Sequence, residues 1–253
     1  MLRFVRRDLI ANYQQTILGP IWIFLQPLLT TFVYYLVFGK IAKVKTDGIS
    51  PLLFYLPGVI IWTFFSECLN GTMYTFLSNT HIFNKVYFPR LIVPLSIVVS
   101  QSVRFGIQLL LFFAVFVFHL FAYHDVNPSI LPMLLLLPLL VCVTAAFGLG
   151  SGLLISVFTA RYRDLDYALQ FLLRLFMYAA PIVYPVSMVP EKYRFLCWLN
   201  PLTPVIETFR SVFFTGKPVE VQYLLISVAS VSLLLLAGMV LFKKREVQVM
   251  DII

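Results

Sequence analysis

Apolar residues run through this chain in long blocks, set apart by short stretches that carry most of the charge. A membrane-spanning helix needs about 20 mainly apolar residues, and six stretches reach that length: 20–39, 52–77, 92–118, 131–158, 167–186 and 221–242. The first and fourth hold no charged residue, whereas Glu67 interrupts the second, Arg104 the third and Arg174 the fifth. The sixth ends abruptly at Lys243-Lys244-Arg245. The pattern predicts an all-α integral membrane fold with six transmembrane helices.

Two segments depart from it. Before the first span, Leu2, Val5, Leu9 and Tyr13 recur at helical spacing, with Arg3, Arg6 and Arg7 elsewhere on the wheel. That predicts an amphipathic interfacial helix over 1–18; a plain basic flank is the simpler reading. Segment 187–220 is too polar and too proline-broken to span, yet too aromatic for a plain loop. Pro190, Pro201 and Pro204 favour two short helices with a break near Asn200-Pro201. Non-spanning backbone at membrane depth must be buried in protein or face a cavity. A re-entrant helix pair at the outer pore mouth is therefore expected between spans five and six, with Trp198, Phe195 and Phe209 as outer gate candidates. A hairpin resting on the outer leaflet is the alternative. Residues 246–253 read as a cytoplasmic tail.

Composition agrees with a membrane protein: 60% of residues are hydrophobic and 12% charged, against roughly a quarter charged in soluble domains, and the mean hydropathy is +0.92. The net charge of +8 would suggest nucleic acid in a soluble protein. Here the cations cluster at span ends, where the positive-inside rule and anionic headgroups account for them, and no nucleic acid is implied. With the N-terminus inside, ten cations fall on the cytoplasmic side (Arg3, Arg6, Arg7, Lys85, Arg90, Arg161, Arg163, Lys243, Lys244, Arg245) and seven outside (Lys40, Lys43, Lys45, Lys192, Arg194, Arg210, Lys217). Four of those seven lie in the long 187–220 segment, which counts for little in this rule. Both termini are expected inside. No cleavable signal peptide follows the N-terminal arginines.

Candidate chemistry is sparse. Cys68, Cys142 and Cys197 are dispersed in apolar sequence and read as packing residues. His81, His119 and His124 share no metal-like spacing, and neither HExxH nor GxSxG occurs. Gly216-Lys217 lacks the upstream glycine and the following Ser or Thr of a P-loop. No enzyme and no cofactor on this chain is implied. Intramembrane charges are the better lead, since each costs about 2.5–3.5 kcal/mol at mid-membrane on insertion scales. By helical rise Glu67 lies roughly 15 Å, and Arg104 roughly 18 Å, from the inner face, so the two are expected to pair. Arg174 is shallower: it is an alternative partner for Glu67, faces the pore, or snorkels to the inner interface. Gly148, Gly150 and Gly152 in FGLGSG allow close helix approach in the fourth span.

Between spans two and three lies HIFNKVYFPR (81–90), a basic and aromatic patch expected on the cytoplasmic side. Pro89 disfavours helix at Phe88, so a short helix through about 79–87 should stop there. It would offer Ile82, Phe83, Val86 and Tyr87 as apolar contacts and Lys85 and Arg90 to acidic rims, the usual anatomy of a docking site. A loop that merely holds topology is the plainer reading.

The stretch RRDLIANYQQTILGPIWIFLQPLLTTFVYYLVFGKI, together with FNKVYFPRLIVPLS, ARYRDLDYAL, APIVYPVSMVP and LNPLTPVIETFR in that order, resembles ABC-2 type permeases that export bacterial cell-surface polysaccharides. The likeness is to O-antigen exporter permeases of the Wzm type, with capsule and teichoic-acid exporters as relatives. Gln14 and Gln15 stand where that family usually has a basic residue. The resemblance implies a homodimer in the bacterial cytoplasmic membrane, joined by two copies of a separate ATPase subunit that holds the ATP and magnesium. It implies a polyprenyl-diphosphate-linked polysaccharide as substrate, moved from the cytoplasmic to the outer face. The coupling loop to the ATPase would be about 79–90, with Ile82, Phe83, Asn84, Lys85, Tyr87, Phe88 and Arg90. An aromatic channel and a lateral opening between spans one and five would draw on Tyr34, Tyr35, Phe38, Phe171, Arg174, Phe176 and Tyr178; for these aromatics a lipid-facing belt is the plainer reading. A proton-coupled transporter or channel using Glu67 is the competing function, and a membrane-embedded transferase a third.

Overall fold

The computed structural model describes residues 4–5, 7–8, 19–83, 88–123, 130–162, 164–215 and 220–250. Every regular element among them is helical. In chain order the longer ones are α1 (Gly19–Ile41), α2 (Pro51–Met73), α3 (Thr75–Phe83), α4 (Ile92–Tyr123), α5 (Ile130–Thr159), α6 (Leu165–Ala179), α7 (Glu191–Leu199), α8 (Leu202–Arg210) and α9 (Val221–Met250), with a 3-10 turn at Val186–Met188 and a π-helical turn at Ser211–Thr215. Among the described residues, five stretches are long and apolar enough to cross a membrane: Gly19–Ile41, Pro51–Met73, Ile92–Phe121, Leu136–Thr159 and Val221–Glu246.

The expected spans map onto these helices with three informative differences. The second span ends at Met73, and Tyr74 leaves helical geometry before α3 starts. α3 is itself kinked at Asn79 (φ −122°, ψ 16°), so the segment beyond the second span is a separate, bent element. The fifth stretch, expected over 167–186, forms only the 15-residue α6. At 1.5 Å per residue that is about 22 Å, short of the ~30 Å hydrocarbon core. Pro181 is the cause: Ala180 before it is extended (φ −84°, ψ 142°), as a residue preceding proline prefers. The sixth stretch does not stop at Lys243. α9 runs on to Met250, because Lys, Arg and Glu are good helix formers and a change of polarity is not a helix stop.

Segment 187–220 holds two short helices, α7 and α8, broken at Asn200-Pro201 as Pro201 predicts. Asn200 is extended ahead of the proline, and its side-chain carbonyl accepts the Leu202 N–H at 3.0 Å. Of the interfacial helix expected over 1–18, only Phe4, Val5, Arg7 and Asp8 are described, all in helical conformation; the rest lies outside the described residues.

α2, α5 and α9 form the spine. A Cβ on Gly148 would sit 3.0 Å from the Phe65 carbonyl oxygen, and one on Gly152 2.9 Å from that of Leu69, so one glycine face of α5 lies directly on α2. The opposite face lies on α9, where a Cβ on Gly150 would meet the Leu235 Cα at 2.8 Å. Aromatic stacking fills the remaining space: Phe65 on Phe147 (4.6 Å between ring centroids) and Phe64 on Phe105 (4.5 Å).

Candidate functional site

One end of the bundle is closed by a cap that the sequence only partly announced. Pro181 and Pro185 prevent helix after α6, which leaves main-chain carbonyls there without helical partners. Arg210, at the end of α8, takes them. Its Nη1 donates to the Pro181 carbonyl (2.7 Å), and its Nη2 to the carbonyls of Ile182 (2.9 Å) and Phe54 (3.1 Å). Nη1 also pairs with the Glu207 carboxylate at 3.0 Å, and the guanidinium lies 3.6 Å from the Phe54 ring centroid. Arg210 is only 2% exposed. Removing such a charge from water costs several kcal/mol unless its donors are answered; here a carboxylate, three carbonyls and a ring answer the two Nη groups, while the buried Nε is left without a hydrogen-bond partner. Burial holds the Arg210 pKa down to about 10, with Glu207 opposing the shift. The Glu207 carboxyl is pushed up by burial, offset by Arg210.

By the positive-inside count Arg210 is one of the cations of the outer 187–220 segment; the structure buries it instead. Its signal was the Glu207-x-x-Arg210 spacing inside the otherwise apolar run PVIETFRSVFF, which places both charges on one helical face. Of the outer gate candidates, Phe209 is buried and stacks on Phe213 (4.4 Å). Trp198 stacks on Tyr223 (4.2 Å, 8° between planes), and Phe195 is exposed. Trp198, Tyr223 and Phe195 line a cavity of about 720 Å³ that Asp47, Glu207 and Arg210 also border.

At mid-bundle, Glu67 and Arg104 line one small cavity of about 170 Å³ between α1, α2 and α4, together with Gln26, Gln101 and Gln108. Arg104 Nη1 donates to the Gln101 side-chain carbonyl at 3.3 Å. Arg174 lies elsewhere, exposed on α6. The channel and gate candidates divide. Tyr34 bonds the Met177 sulfur at 3.3 Å, joining α1 to α6, and packs edge-on against Phe38 (5.8 Å). Tyr35 is half-buried beneath Lys40 (5.5 Å). Phe176 packs against Trp62 (5.9 Å) and Phe65 (6.2 Å), whereas Phe171 and Tyr178 are exposed. A polar network not anticipated from sequence joins α2 to α6: Tyr74 donates to Asp166, and Gln170 to Asn70 (2.9 Å).

At the other end of α2, Phe83 is buried in its own bundle rather than presented outward. It packs between Phe76 (6.1 Å) and Phe88 (5.7 Å), and Phe76 stacks on Phe242 of α9 (4.7 Å). Phe88 reaches Phe4 (5.9 Å), and Arg90 Nη1 donates to the Glu246 carbonyl at 2.8 Å. The loop is thus tied to the N-terminal segment and to the end of α9. Ile82 is helical but its side chain, like Asn84, Lys85, Val86 and Tyr87 entirely, lies outside the described residues.

A set of apolar crossings, a charged cap at one end and a short helix hung from the other defines a multi-pass integral membrane protein. Residues 2–214 match the ABC-2 type transporter family, and the chain belongs to that family. It is 28% identical to an O-antigen export system permease protein RfbA of Klebsiella pneumoniae over 247 residues, covering 98% of this chain and 92% of that protein. A protein of the same name from Myxococcus xanthus is 26% identical (97% and 92% covered). The polysialic acid transport protein KpsM of Escherichia coli is 25% identical (95% and 91%).

Proposed function

We propose that this chain is the permease subunit of an ATP-driven exporter that moves a polyprenyl-diphosphate-linked polysaccharide, O-antigen first and capsule or teichoic acid next, from the cytoplasmic to the outer face. The observation that carries this reading is the near end-to-end similarity, over 98% of the chain, to an O-antigen export permease. The working assembly is a homodimer in the cytoplasmic membrane with two ATPase subunits, both termini cytoplasmic. α6 and the turns that follow it make the fifth of six crossings, and α7–α8 form the re-entrant pair at the outer mouth.

The loop over 79–90 is the docking element. Because Phe83 is buried within the chain, its part is to transmit movement from the loop to α9 through Phe76 and Phe242. Tyr87 and Lys85 are left as the residues that meet the ATPase. Glu67 and Arg104 act as the intramembrane pair joining α2 to α4.

The decisive experiment deletes the chain and its neighbouring ATPase separately in the host and follows surface polysaccharide. Loss in both strains is expected; export that survives without the ATPase but collapses with the proton gradient would replace this reading with the Glu67 transporter. Tyr87→Ala, with Lys85 and Arg90 retained, should block export while dimerisation persists. Cysteines at Glu191 and Lys217 should react with an impermeant reagent from outside, and labelling only from the cytoplasm would invert the topology.

A further inference from the structure

The cavity at the capped end has the composition of a ligand site, and that composition carries a charge preference. Its volume of about 720 Å³ falls in the ~300–1,000 Å³ range of small-ligand sites. It lies at the start of α2, the end opposite the coupling loop. The aromatic wall is Trp198 stacked on Tyr223 with 8° between planes, and Phe195 lines the cavity with them. Around that wall the described charges are four carboxylates (Asp47, Glu191, Glu207, Glu220) and two guanidiniums (Arg194, Arg210). Both arginines are engaged: Arg210 with Glu207 at 3.0 Å, and Arg194 with Glu191 at 3.8 Å as well as the Val189 carbonyl at 2.9 Å. Asp47 is held in place by the Ser187 hydroxyl, 2.9 Å from both carboxylate oxygens. Among the described lining residues, Asp47 and Glu220 are therefore the carboxylates without an ion-pair partner.

We propose that this cavity binds sugar units of a neutral glycan and disfavours acidic ones, resting on the exporter reading above. The ring faces of Trp198 and Tyr223 match the apolar faces of a pyranose. Ionised carboxylates accept hydroxyl hydrogen bonds strongly, so Asp47 and Glu220 fit a polyol. The same two carboxylates repel a uronate or sialate carried into a partly desolvated space. The cavity thus selects on charge among the polysaccharides that a permease of this class could carry.

Trp198 is one of three tryptophans in the chain, so Trp22→Phe, Trp62→Phe protein in nanodiscs reports on this wall by fluorescence. Titration with a panel of neutral hexasaccharides (mannan, galactan, rhamnan) should give saturable change for at least one, about tenfold tighter than for oligogalacturonate of equal length at low salt. Calorimetry on the unaltered protein repeats the comparison free of the tryptophan changes. Asp47→Asn with Glu220→Gln should narrow the gap severalfold, Asn being suited to the left-handed backbone of Asp47 (φ 52°). No saturable binding by any neutral member, or equal binding of the acidic chain, overturns the proposal. Surface polysaccharide in cells lacking the chain is scored separately. If it is lost while hexasaccharide binding fails, only the site is wrong; if it is unchanged, the exporter reading falls whatever the cavity binds.

Discussion

α2 and α1 are similarly apolar, with a mean hydropathy of 1.7 over the best stretch of each, yet 78% of that stretch is buried in α2 and 17% in α1. Hydrophobicity therefore does not sort the helices of this protein into inside and outside. Lipid tails are as apolar as leucine, so helix association in a bilayer rests on close packing, and small residues govern it. The spine follows that rule: α5 meets α2 through Gly148 and Gly152 and α9 through Gly150. α1 and α6 have no such seam. They join each other through the Tyr34–Met177 contact, and most of α1 and one face of α6 stay uncovered by the chain itself. The spine is held by close packing, and the α1–α6 side is left open by the chain itself.

The sharpest break of this contrast targets the spine. Gly150→Leu forces a side chain into the main chain of α9, where even a Cβ would stand 2.8 Å from the Leu235 Cα. Overpacking ordinarily costs about 1–3 kcal/mol; a collision with the α9 backbone, which cannot give as a side chain can, should exceed about 4 kcal/mol. Loss of folded protein in detergent is expected. Gly106→Leu on α4, where a Cβ meets nothing within 4 Å, should leave yield and melting temperature unchanged. Equal behaviour of the two variants would remove close packing as the basis of the spine.

Arg210→Met comes next. It leaves three carbonyls without their donor and Glu207 without its counter-charge, and breaking a buried pair costs about 3–5 kcal/mol. Arg210→Met with Glu207→Gln should recover only part, since the carbonyls of Phe54, Pro181 and Ile182 stay unanswered. Lysine cannot reproduce the forked geometry, so Arg210→Lys should also fall short. Thermal melts in detergent measure all three; full rescue by Glu207→Gln would mean that the carbonyl bonds contribute nothing.

Much of this was legible in sequence, and the failures have local causes. Apolar length located the helices that cross, and Pro201 located the break between α7 and α8. Period and length could not show that Pro181 ends α6 early, because VYPV after it is as apolar as a span. Nor could they show that Lys243-Lys244-Arg245 lies within a helix, since these residues favour helix while rejecting lipid. Arg210 was hidden by a counting rule that treats every cation outside a span as solvated. Phe83 looked like a docking anchor because aromatic residues in a basic loop read alike whether they face a partner or their own bundle; only packing against Phe76 and Phe88 separates the two.

A smaller effect tests the polar seam between α2 and α4. Replacing Glu67 by Gln or Arg104 by Gln should each lower stability by about 1–3 kcal/mol, and the charge-swapped Glu67→Arg, Arg104→Glu protein should regain part of it, as coupled neighbours do. A swap no better than the worse single variant would sink the pairing.

The smallest stability change, and the one that reaches function, belongs to the open face of α6. Phe171 and Tyr178 are 61% and 54% exposed, so Phe171→Ala with Tyr178→Ala removes little packing and should shift stability within about 0.5 kcal/mol. Leu233 and Leu236 on α9 are just as exposed, at 71% and 59%, and supply the control. If α6 borders the path of the cargo and α9 borders only lipid, the α6 double variant should cut surface polysaccharide severalfold while Leu233→Ala, Leu236→Ala leaves it intact. Both proteins should melt together in detergent. Aromatic faces guide sugar rings without the many hydrogen bonds that would hold them, which is why a change costing almost nothing in stability should cost much in flux. Unchanged export in the α6 variant would place Phe171 and Tyr178 in the lipid-facing belt instead.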